Sequence, residues 1–153
     1  MIIAFAGHST IPMRDDVKRA VKEQILKKLG VEPIKCYIGG YGSFDEICAQ
    51  ACRELKREHK NIEIVYVAPY FRLSEQEKIK DMQRYGLCDT SIYPPLESVP
   101  PRFAISKRNE WMMKSADFVI AYVKRDFGGA YNSLQIAKRN KKQIINIFDL
   151  LQY

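Results

Sequence analysis

Short apolar runs alternate with longer amphipathic segments along this 153-residue chain. The run at residues 1–6, closed by Gly7, is too short for a helix and too continuous for a strand with one exposed face. It therefore predicts a strand buried on both faces. At residues 14–29, apolar positions recur every four residues with Lys and Arg between them. This pattern predicts an amphipathic helix that ends at Gly30.

The same alternation of strand and helix continues along the chain. A Pro-rich segment, bracketed by Pro94-Pro95 and Pro100-Pro101, interrupts it and predicts a surface lid or connection. Further strands are predicted at residues 34–38, 62–67, 91–93, 118–123 and 144–148, and further helices at residues 43–55, 73–84, 103–115 and 130–137. This order is typical of parallel βαβ units. We therefore expect a single α/β domain over residues 1–153, with a three-layer, Rossmann-like, doubly wound, mainly parallel sheet of five or six strands.

Composition narrows the class of protein without identifying its ligand. Hydrophobic residues make up 46% of the chain, yet no apolar run approaches the ~18 residues of a membrane span, and the apolar start is too short for a signal-peptide core. We therefore expect a soluble, cytoplasmic protein without a membrane partner. The 4 cysteines are too few for a disulfide scaffold and are expected to be reduced thiols. The formal charge of +7 favours an anionic ligand or partner.

Turns that contain glycine follow three of the predicted strands, where doubly wound sheets bind their ligands. Glycine lets the backbone approach a ligand closely, and the free N–H groups at the start of the next helix favour a phosphate. None of these turns has the spacing of a dinucleotide fingerprint or a Walker loop, which disfavours nucleoside triphosphate chemistry. The alternative is that the glycines only form tight turns with positive φ. The candidate ligand-binding residues are Gly7, His8, Ser9, Thr10, Gly39, Gly40, Tyr41, Gly42, Ser43, Gly128, Gly129, Ala130 and Tyr131.

Two segments resemble a known family. Residues 39–46, which read GGYGSFDE, resemble the GGxGTxxE motif of the LOG-type (lysine-decarboxylase-like) phosphoribohydrolases, with serine in place of threonine. Residues 108–112, which read RNEWM and precede a predicted strand, resemble the RKxxM helix of the same enzymes. The chain is therefore similar to the SLOG superfamily of Rossmann-like nucleotide binders, which contains the LOG enzymes and DNA-processing-protein-A-like proteins. The resemblance covers most of the chain and implies the fold and a nucleotide-type site.

The order of the two segments departs from that of the LOG enzymes. Their glycine motif follows the arginine-bearing helix and its strand, and at that place this chain has Gln135 where the family has its catalytic glutamate. The GGYGSFDE segment instead follows the second predicted strand, as a glycine turn does in small SLOG proteins and in DNA-processing protein A, which binds single-stranded DNA. The resemblance therefore implies a nucleotide or phosphorylated ribose ligand more strongly than hydrolysis. It also implies a homodimer, because LOG-type enzymes are commonly dimers.

Three side chains are candidates for catalysis if the protein cleaves an N-glycosidic bond. That reaction builds positive charge on the ribosyl ring, so a carboxylate from Glu46 or Asp45 could stabilise the charge or activate water. The alternatives are structural, because Ser43 and Glu46 fit a capping box and Asp45 suits the positive end of a helix dipole. Arg108 is predicted to face inward, where its charge needs an anionic partner: an internal carboxylate or a ligand phosphate.

Several other candidates also have a structural alternative. His8 ends the first predicted strand, where it could reach a phosphate, ribose or base, or serve a structural role. Tyr41 and Tyr131 could stack on a base or simply pack. Cys48 and Cys52 lie on the inward side of one predicted helix, which favours core packing over metal binding. No metal or cofactor is expected.

Most basic residues lie between the apolar positions of the predicted helices and fit solvated helix faces, many of them near C-termini. In a doubly wound fold those ends lie opposite the ligand loops, and a nucleic-acid surface is the other interpretation. The sequence favours the binding of a nucleotide or nucleotide-derived phosphate ligand, with phosphoribohydrolase activity as a further hypothesis. The alternatives are a non-catalytic sensor of such a ligand and a basic single-stranded nucleic-acid binder.

Overall fold

A six-stranded sheet, parallel throughout, forms the centre of the computed structural model, which describes residues 1–30 and 32–151. The strands are β1 (Ile2–Gly7), β2 (Ile34–Ile38), β3 (Ile62–Val67), β4 (Thr90–Ile92), β5 (Phe118–Tyr122) and β6 (Gln143–Asn146). They lie in the order β4-β3-β2-β1-β5-β6. The chain thus builds outward from β1 to β4 and then returns to the other side of β1. The sheet therefore has a topological switch point between β1 and β5, where ligands of such folds bind.

Helices cover both faces of the sheet and make three layers. They are α1 (Arg14–Leu26), α2 (Ser43–Lys56), α3 (Leu73–Arg84), α4 (Ala104–Ser115), α5 (Gly129–Arg139) and the short α6 (Ile147–Leu150), with a 3₁₀ turn at Pro101–Phe103. Apolar side chains of α1, α2, α3 and α6 share one core cluster with the strands, and those of α4 and α5 share another. None of the helices within the described residues combines the length and apolar character needed to cross a membrane.

The apolar strands are buried on both faces, as their continuous hydrophobic runs predict. Along β1, Ile3 and Phe5 belong to the cluster with α1 and α2, whereas Ala4 and Ala6 belong to the cluster with α4. All five residues of β5 are buried. Because β1 and β5 are packed between helices on both faces, the loops at their carboxyl ends start from fixed positions.

The predicted fold class is confirmed, and two predicted element ends are wrong. Helix α1 ends at Leu26, and the chain then forms a tight turn in which Lys28 N–H donates to the Ile25 carbonyl at 2.9 Å, so Gly30 is not a left-handed cap. The last strand ends at Asn146, whose side chain binds both the N–H and the C=O of Val123 and also accepts from Phe148 N–H. That side chain stops the strand and caps α6.

The capping box predicted at the start of α2 is also wrong. Ser43 is the first helical residue, Gly42 occupies the cap position with φ of 88°, and the cap makes no side-chain hydrogen bond. Instead, Ser43 N–H donates to the Ser9 carbonyl at 2.9 Å and Phe44 N–H to the His8 carbonyl at 3.4 Å. The loop after β1 therefore satisfies the first turn of α2 with its own main chain.

Cysteine side chains pack in the core as the sequence predicts. The four cysteines, Cys36, Cys48, Cys52 and Cys88, are buried and free. Burial raises the pKa of the Cys48 thiol well above its ordinary value, with Asp45 and Cys36 adding to the shift. These thiols therefore behave as small apolar side chains.

Candidate functional site

A polar crevice of about 240 Å³ opens at the switch point between β1 and β5. The loop after β1 and the first turn of α5 form two of its walls, and the middle of α4 and the start of α2 complete it. Its lining residues are Phe5, Ala6, Gly7, His8, Ser9, Tyr41, Asp45, Arg108, Asn109, Arg125, Gly129, Ala130 and Ser133. The crevice thus gathers loops from both halves of the sheet, as the doubly wound topology requires.

His8 presents a hydrogen-bond donor to this crevice. Its side chain is buried, and Nε2 accepts the backbone N–H of Lys124 at 3.0 Å. Burial lowers the pKa of His8, and the nearby charges of Arg125 and Lys124 lower it further. A neutral ring that accepts at Nε2 carries its proton on Nδ1. Because Arg125 Nη2 lies 3.2 Å from Nδ1, two donors face each other. An anionic oxygen beside the pair, at about 2.8 Å from each nitrogen, would accept from both.

The first turn of α5 adds main-chain donors on the opposite wall. Gly128 has φ of 93° at the cap position, and the cap makes no side-chain hydrogen bond. Among the described residues, the N–H groups of Gly129 and Ala130 have no hydrogen-bond acceptor. No acidic residue occupies this turn, so the positive end of the helix dipole is not neutralised locally. These features favour an anion at the N-terminus of α5.

Arg108 is the largest fully buried side chain of the described residues, with 1% relative exposure. Its Nη1 donates to the carbonyls of Gly39 at 2.8 Å and Val67 at 2.7 Å, and its Nε donates to Asn109 Oδ1 at 2.9 Å. The guanidinium therefore joins the carboxyl ends of β2 and β3. Nη2 makes no hydrogen bond to the described residues.

The sequence offers two alternatives for the partner of Arg108, an internal salt bridge and a ligand phosphate. The structure does not show the first, and the second stays a prediction. No described carboxylate lies within 4.0 Å of the guanidinium, and backbone carbonyls hold it instead. Burial lowers the pKa of Arg108, and Asp45 acts against that shift. Arg108 therefore holds the strand ends in place, and its Nη2 makes no hydrogen bond to the described residues.

Asp45 is the carboxylate beside the crevice, and Gly39 makes room for it. A Cβ at Gly39 would lie 3.0 Å from Asp45 Oδ2 and 3.1 Å from Arg108 Nη2, so a side chain there would crowd both groups. Oδ2 accepts the backbone N–H of Tyr41 at 3.1 Å, whereas Oδ1 accepts no hydrogen bond from the described residues. Burial raises the pKa of Asp45 to about 6, although Arg108, the Tyr41 N–H and Lys78 all act to lower it.

This raised pKa makes ionised Asp45 a cost to stability. In the unfolded chain the carboxyl ionises near 3.8, whereas in the folded protein it keeps its proton up to about 6, so stability falls as pH rises through that window. We expect Asp45→Asn to unfold at higher denaturant concentration than the unsubstituted protein at pH 7, by about 1 kcal/mol, with a smaller difference at pH 4. Urea unfolding at both pH values measures this. If Asp45→Asn differed from the unsubstituted protein by the same free energy of unfolding at pH 4 and at pH 7, the raised pKa of Asp45 would be contradicted.

A second polar cluster under the loop after β2 was not predicted from the sequence. Glu75 is buried and accepts the hydroxyls of Tyr41 at 3.0 Å and Tyr66 at 3.1 Å. Lys78 donates to the Gly40 carbonyl at 2.9 Å and lies 3.6 Å from the centroid of the Tyr41 ring. Tyr41 is therefore anchored at its hydroxyl and its face. The only sequence signal is that Glu75 and Lys78 are three residues apart on one helix.

The structure brings some of the predicted site residues together and separates others. Gly7, His8, Ser9, Tyr41, Asp45, Arg108, Gly129 and Ala130 line the crevice, whereas Thr10, Gly39, Gly40, Gly42, Ser43, Glu46, Gly128 and Tyr131 do not. Glu46 is exposed and lies 3.5 Å from Arg14 Nη2. Arg125, Asn109 and Ser133 line the crevice without having been singled out. The signal for Arg125 was its place in the loop after β5.

The fold and the crevice define a class: a doubly wound, Rossmann-like α/β protein with a polar, donor-rich crevice at its switch point. No group of three or more His, Cys, Asp or Glu side chains suited to a metal ion occurs within residues 1–30 and 32–151.

Solved structures of DNA processing protein A (DprA) share this fold. DprA from Streptococcus pneumoniae matches with a TM-score of 0.64 at 13% identity, over 93% of this chain and 48% of that protein. DprA from Helicobacter pylori, a structure described for its single-stranded DNA binding mode, matches with a TM-score of 0.62 at 14% identity, over 94% of this chain and 63% of that protein. No family model and no curated protein matches. The chain thus spans about half to two thirds of the DprA chains, and the likeness confirms the Rossmann-like fold of the SLOG resemblance.

Proposed function

We propose that this protein binds the phosphate group of a nucleotide or of a phosphorylated ribose in the crevice between β1 and β5. The observation that carries the proposal is the donor pair formed by His8 Nδ1 and Arg125 Nη2, 3.2 Å apart. Two adjacent donors repel each other unless a shared acceptor lies beside them, within hydrogen-bond distance of both. A phosphate oxygen is such an acceptor, and a charge-assisted hydrogen bond to it is short and strong.

The other donors favour a phosphate over a smaller anion. The N–H groups of Gly129 and Ala130, which have no acceptor among the described residues, lie on the α5 wall, and Arg108 adds a buried positive charge on the α4 side. A phosphate has three terminal oxygens, which can accept hydrogen bonds from different directions at once. Oriented main-chain N–H groups at a helix N-terminus suit that geometry.

We do not extend the proposal to hydrolysis of an N-glycosidic bond. Glu46, the candidate carboxylate from the sequence, lies outside the crevice and near Arg14. Gln135 stands where the LOG enzymes have their glutamate and lies outside the crevice too. Asp45 is the carboxylate that lines the crevice, and its oxygens suit hydrogen-bond acceptance as well as catalysis.

Single-stranded nucleic acid is a second candidate ligand, because arginine and aromatic side chains pair along the same sheet edge. Arg72 lies 3.8 Å from the Tyr70 ring, Arg102 lies 4.8 Å from the Phe103 ring, and Arg125 lies 5.2 Å from the Phe127 ring. Phe103 and Phe127 are exposed. Aromatic faces beside arginines are the platforms on which unpaired bases stack. The single-stranded DNA binding described for H. pylori DprA agrees with this candidate.

Calorimetric titration with ribose 5-phosphate tests the first proposal. We expect Arg125→Ala to weaken ribose 5-phosphate binding by about tenfold, because it removes a charge-assisted donor from the phosphate. Arg139→Ala is the matched control: it removes the same charge from the exposed C-terminal end of α5, outside the crevice. It should leave the affinity unchanged within about twofold, since a distant exposed charge contributes little.

Two outcomes would contradict the phosphate proposal. One is that ribose 5-phosphate does not bind at all. The other is that Arg125→Ala and Arg139→Ala weaken binding equally, which would indicate attraction to net charge alone. If a thymidine oligonucleotide binds while ribose 5-phosphate does not, with an affinity that falls steeply with salt and is reduced in Phe127→Ala, the second candidate is favoured instead.

A further inference from the structure

A second cavity of about 390 Å³ lies between α2 and α3, next to the phosphate crevice. Ser9 and Asp45 line both spaces, so the two adjoin at these side chains. Ala49, Met82 and Leu87 form an apolar wall in the second cavity, and the charged side chains of Lys78 and Glu46 also line it. One end of the combined site is therefore rich in donors and the other end is largely apolar.

Asp45 stands at the boundary between the two spaces with one oxygen uncommitted. Its Oδ2 is held by Tyr41 N–H at 3.1 Å, which fixes the carboxylate, while Oδ1 accepts no hydrogen bond from the described residues. An oriented carboxylate oxygen accepts hydrogen bonds from sugar hydroxyls, and many nucleotide sites use an acidic residue in this way. A hydroxyl-bearing group that joins an anionic part to an apolar part would satisfy Asp45.

We propose that the cavity between α2 and α3 holds the base of a ribonucleoside 5′-phosphate, and that Asp45 accepts hydrogen bonds from the ribose hydroxyls. This proposal rests on the proposed function, because the phosphate of the same molecule occupies the crevice between β1 and β5. The planar base packs against Ala49, Met82 and Leu87. Asp45 thus determines specificity for ribose over deoxyribose.

The loss of folding stability caused by ionised Asp45 agrees with a role in binding the ribose hydroxyls. Burial disfavours the carboxylate, yet Gly39 leaves space for it where a Cβ would lie 3.0 Å from Oδ2. The carboxylate of Asp45 between the two cavities therefore lowers the free energy of unfolding, and an asparagine at the same position would restore it. Binding residues commonly have this property, because they are placed for a ligand and not for the empty fold.

Calorimetry with AMP, 2′-deoxy-AMP and ribose 5-phosphate tests the proposal. We expect AMP to bind at least about tenfold more tightly than ribose 5-phosphate, because the base buries apolar surface in the second cavity. We expect 2′-deoxy-AMP to bind about tenfold more weakly than AMP, because it lacks a hydroxyl that the carboxylate would otherwise accept. Asp45→Asn should remove most of the difference between AMP and 2′-deoxy-AMP. Asp81→Asn, an exposed aspartate on α3 outside both cavities, should leave that difference unchanged.

Two cavity variants test where the base lies. Ala49→Leu fills the second cavity, so AMP should lose its advantage over ribose 5-phosphate, whose own affinity should stay within about twofold. Met82→Ala is the second variant, for the case that Ala49→Leu does not fold. Met82 is only partly buried, so its truncation should leave the fold intact. It should weaken the binding of AMP by about fivefold and leave the binding of ribose 5-phosphate unchanged.

The outcomes separate this proposal from the one on which it rests. Equal affinities for AMP and ribose 5-phosphate, with binding still about tenfold weaker in Arg125→Ala, would overturn the base site and keep the phosphate crevice. Unchanged AMP affinity in both cavity variants would overturn it in the same way. A preference for AMP over 2′-deoxy-AMP that survives Asp45→Asn would overturn the role of Asp45. No binding of any of the three probes would overturn both proposals.

Discussion

Replacing Arg108 with alanine is expected to lower the free energy of unfolding by about 4 kcal/mol. The substitution leaves the Gly39 and Val67 carbonyls, which the guanidinium holds at 2.8 and 2.7 Å, without their donor. It also leaves a void at the most voluminous fully buried side chain of the described residues. Each buried carbonyl that loses its partner costs about 1–3 kcal/mol, and the cavity adds to that loss. Urea unfolding of the purified variant gives the value.

Two further arginine variants show whether the stability that Arg108 contributes depends on the geometry of its guanidinium or only on its charge. Arg108→Lys keeps the charge but offers a single nitrogen in place of a planar fork, so we expect it to lose about 2 kcal/mol. Arg125→Ala removes an arginine from the exposed loop after β5, so its stability should stay within about 0.5 kcal/mol. A loss of less than about 1 kcal/mol in Arg108→Ala would mean that the two strand ends do not depend on this side chain.

Replacing Gly7 with alanine is expected to cost about 3 kcal/mol. A Cβ at Gly7 would lie 2.3 Å from the Cδ2 and Cγ atoms of Phe44, which is itself fully buried at the start of α2. Phe44 belongs to the larger core cluster and cannot move aside without opening a void. Gly7 is therefore explained by the approach of α2 to the end of β1. Gly7 also lines the crevice, so its predicted place next to a ligand stays a prediction.

A second glycine serves as the control for Gly7. A Cβ at Gly30 would meet no atom within 4 Å, and its φ is not in the left-handed region. Gly30→Ala should therefore be neutral, or stabilising by about 0.5 kcal/mol through the unfolded chain. Thermal unfolding of the two variants gives the comparison. Equal melting temperatures for Gly7→Ala and Gly30→Ala would show that Phe44 does not restrict this position.

The fold could be predicted from the sequence because each element carries its own local signal. Continuous apolar runs such as Phe118–Tyr122 mark strands buried on both faces, and four-residue periodicity marks the helices between them. Their order then restricts the topology to a doubly wound sheet. The element ends were less predictable, because tertiary hydrogen bonds decide them. Asn146 ends β6 by binding Val123, which is 23 residues away in the chain.

The candidate site could be predicted only in outline. Strand ends locate the loops that form the crevice, but the pair of His8 and Arg125 joins residues 117 positions apart. Buried Glu75 lies on a helix whose sequence is mostly polar, so nothing local distinguishes it from its exposed neighbours. Contacts of this kind depend on how distant segments pack together in the folded chain. A local sequence pattern does not indicate that packing.

The two glycine-rich turns illustrate this limit most directly. Both precede helices, and both were predicted as phosphate sites on the same grounds. In the folded protein, Ser43 and Phe44 N–H at the start of α2 donate to the loop after β1. The N–H groups of Gly129 and Ala130 at the start of α5 have no such acceptor among the described residues. We therefore propose α5 as the helix that binds the anion, although α2 carries the closer motif match.

The most direct test of this distinction is an ¹H–¹⁵N correlation NMR titration with ribose 5-phosphate. We expect the largest amide shifts at Gly129, Ala130 and the loop after β5, with smaller shifts at Ser43 and Phe44, whose N–H groups already donate to the loop after β1. Shifts confined to Ser43 and Phe44, or the absence of shifts at millimolar ribose 5-phosphate, would contradict a phosphate site in the crevice between β1 and β5.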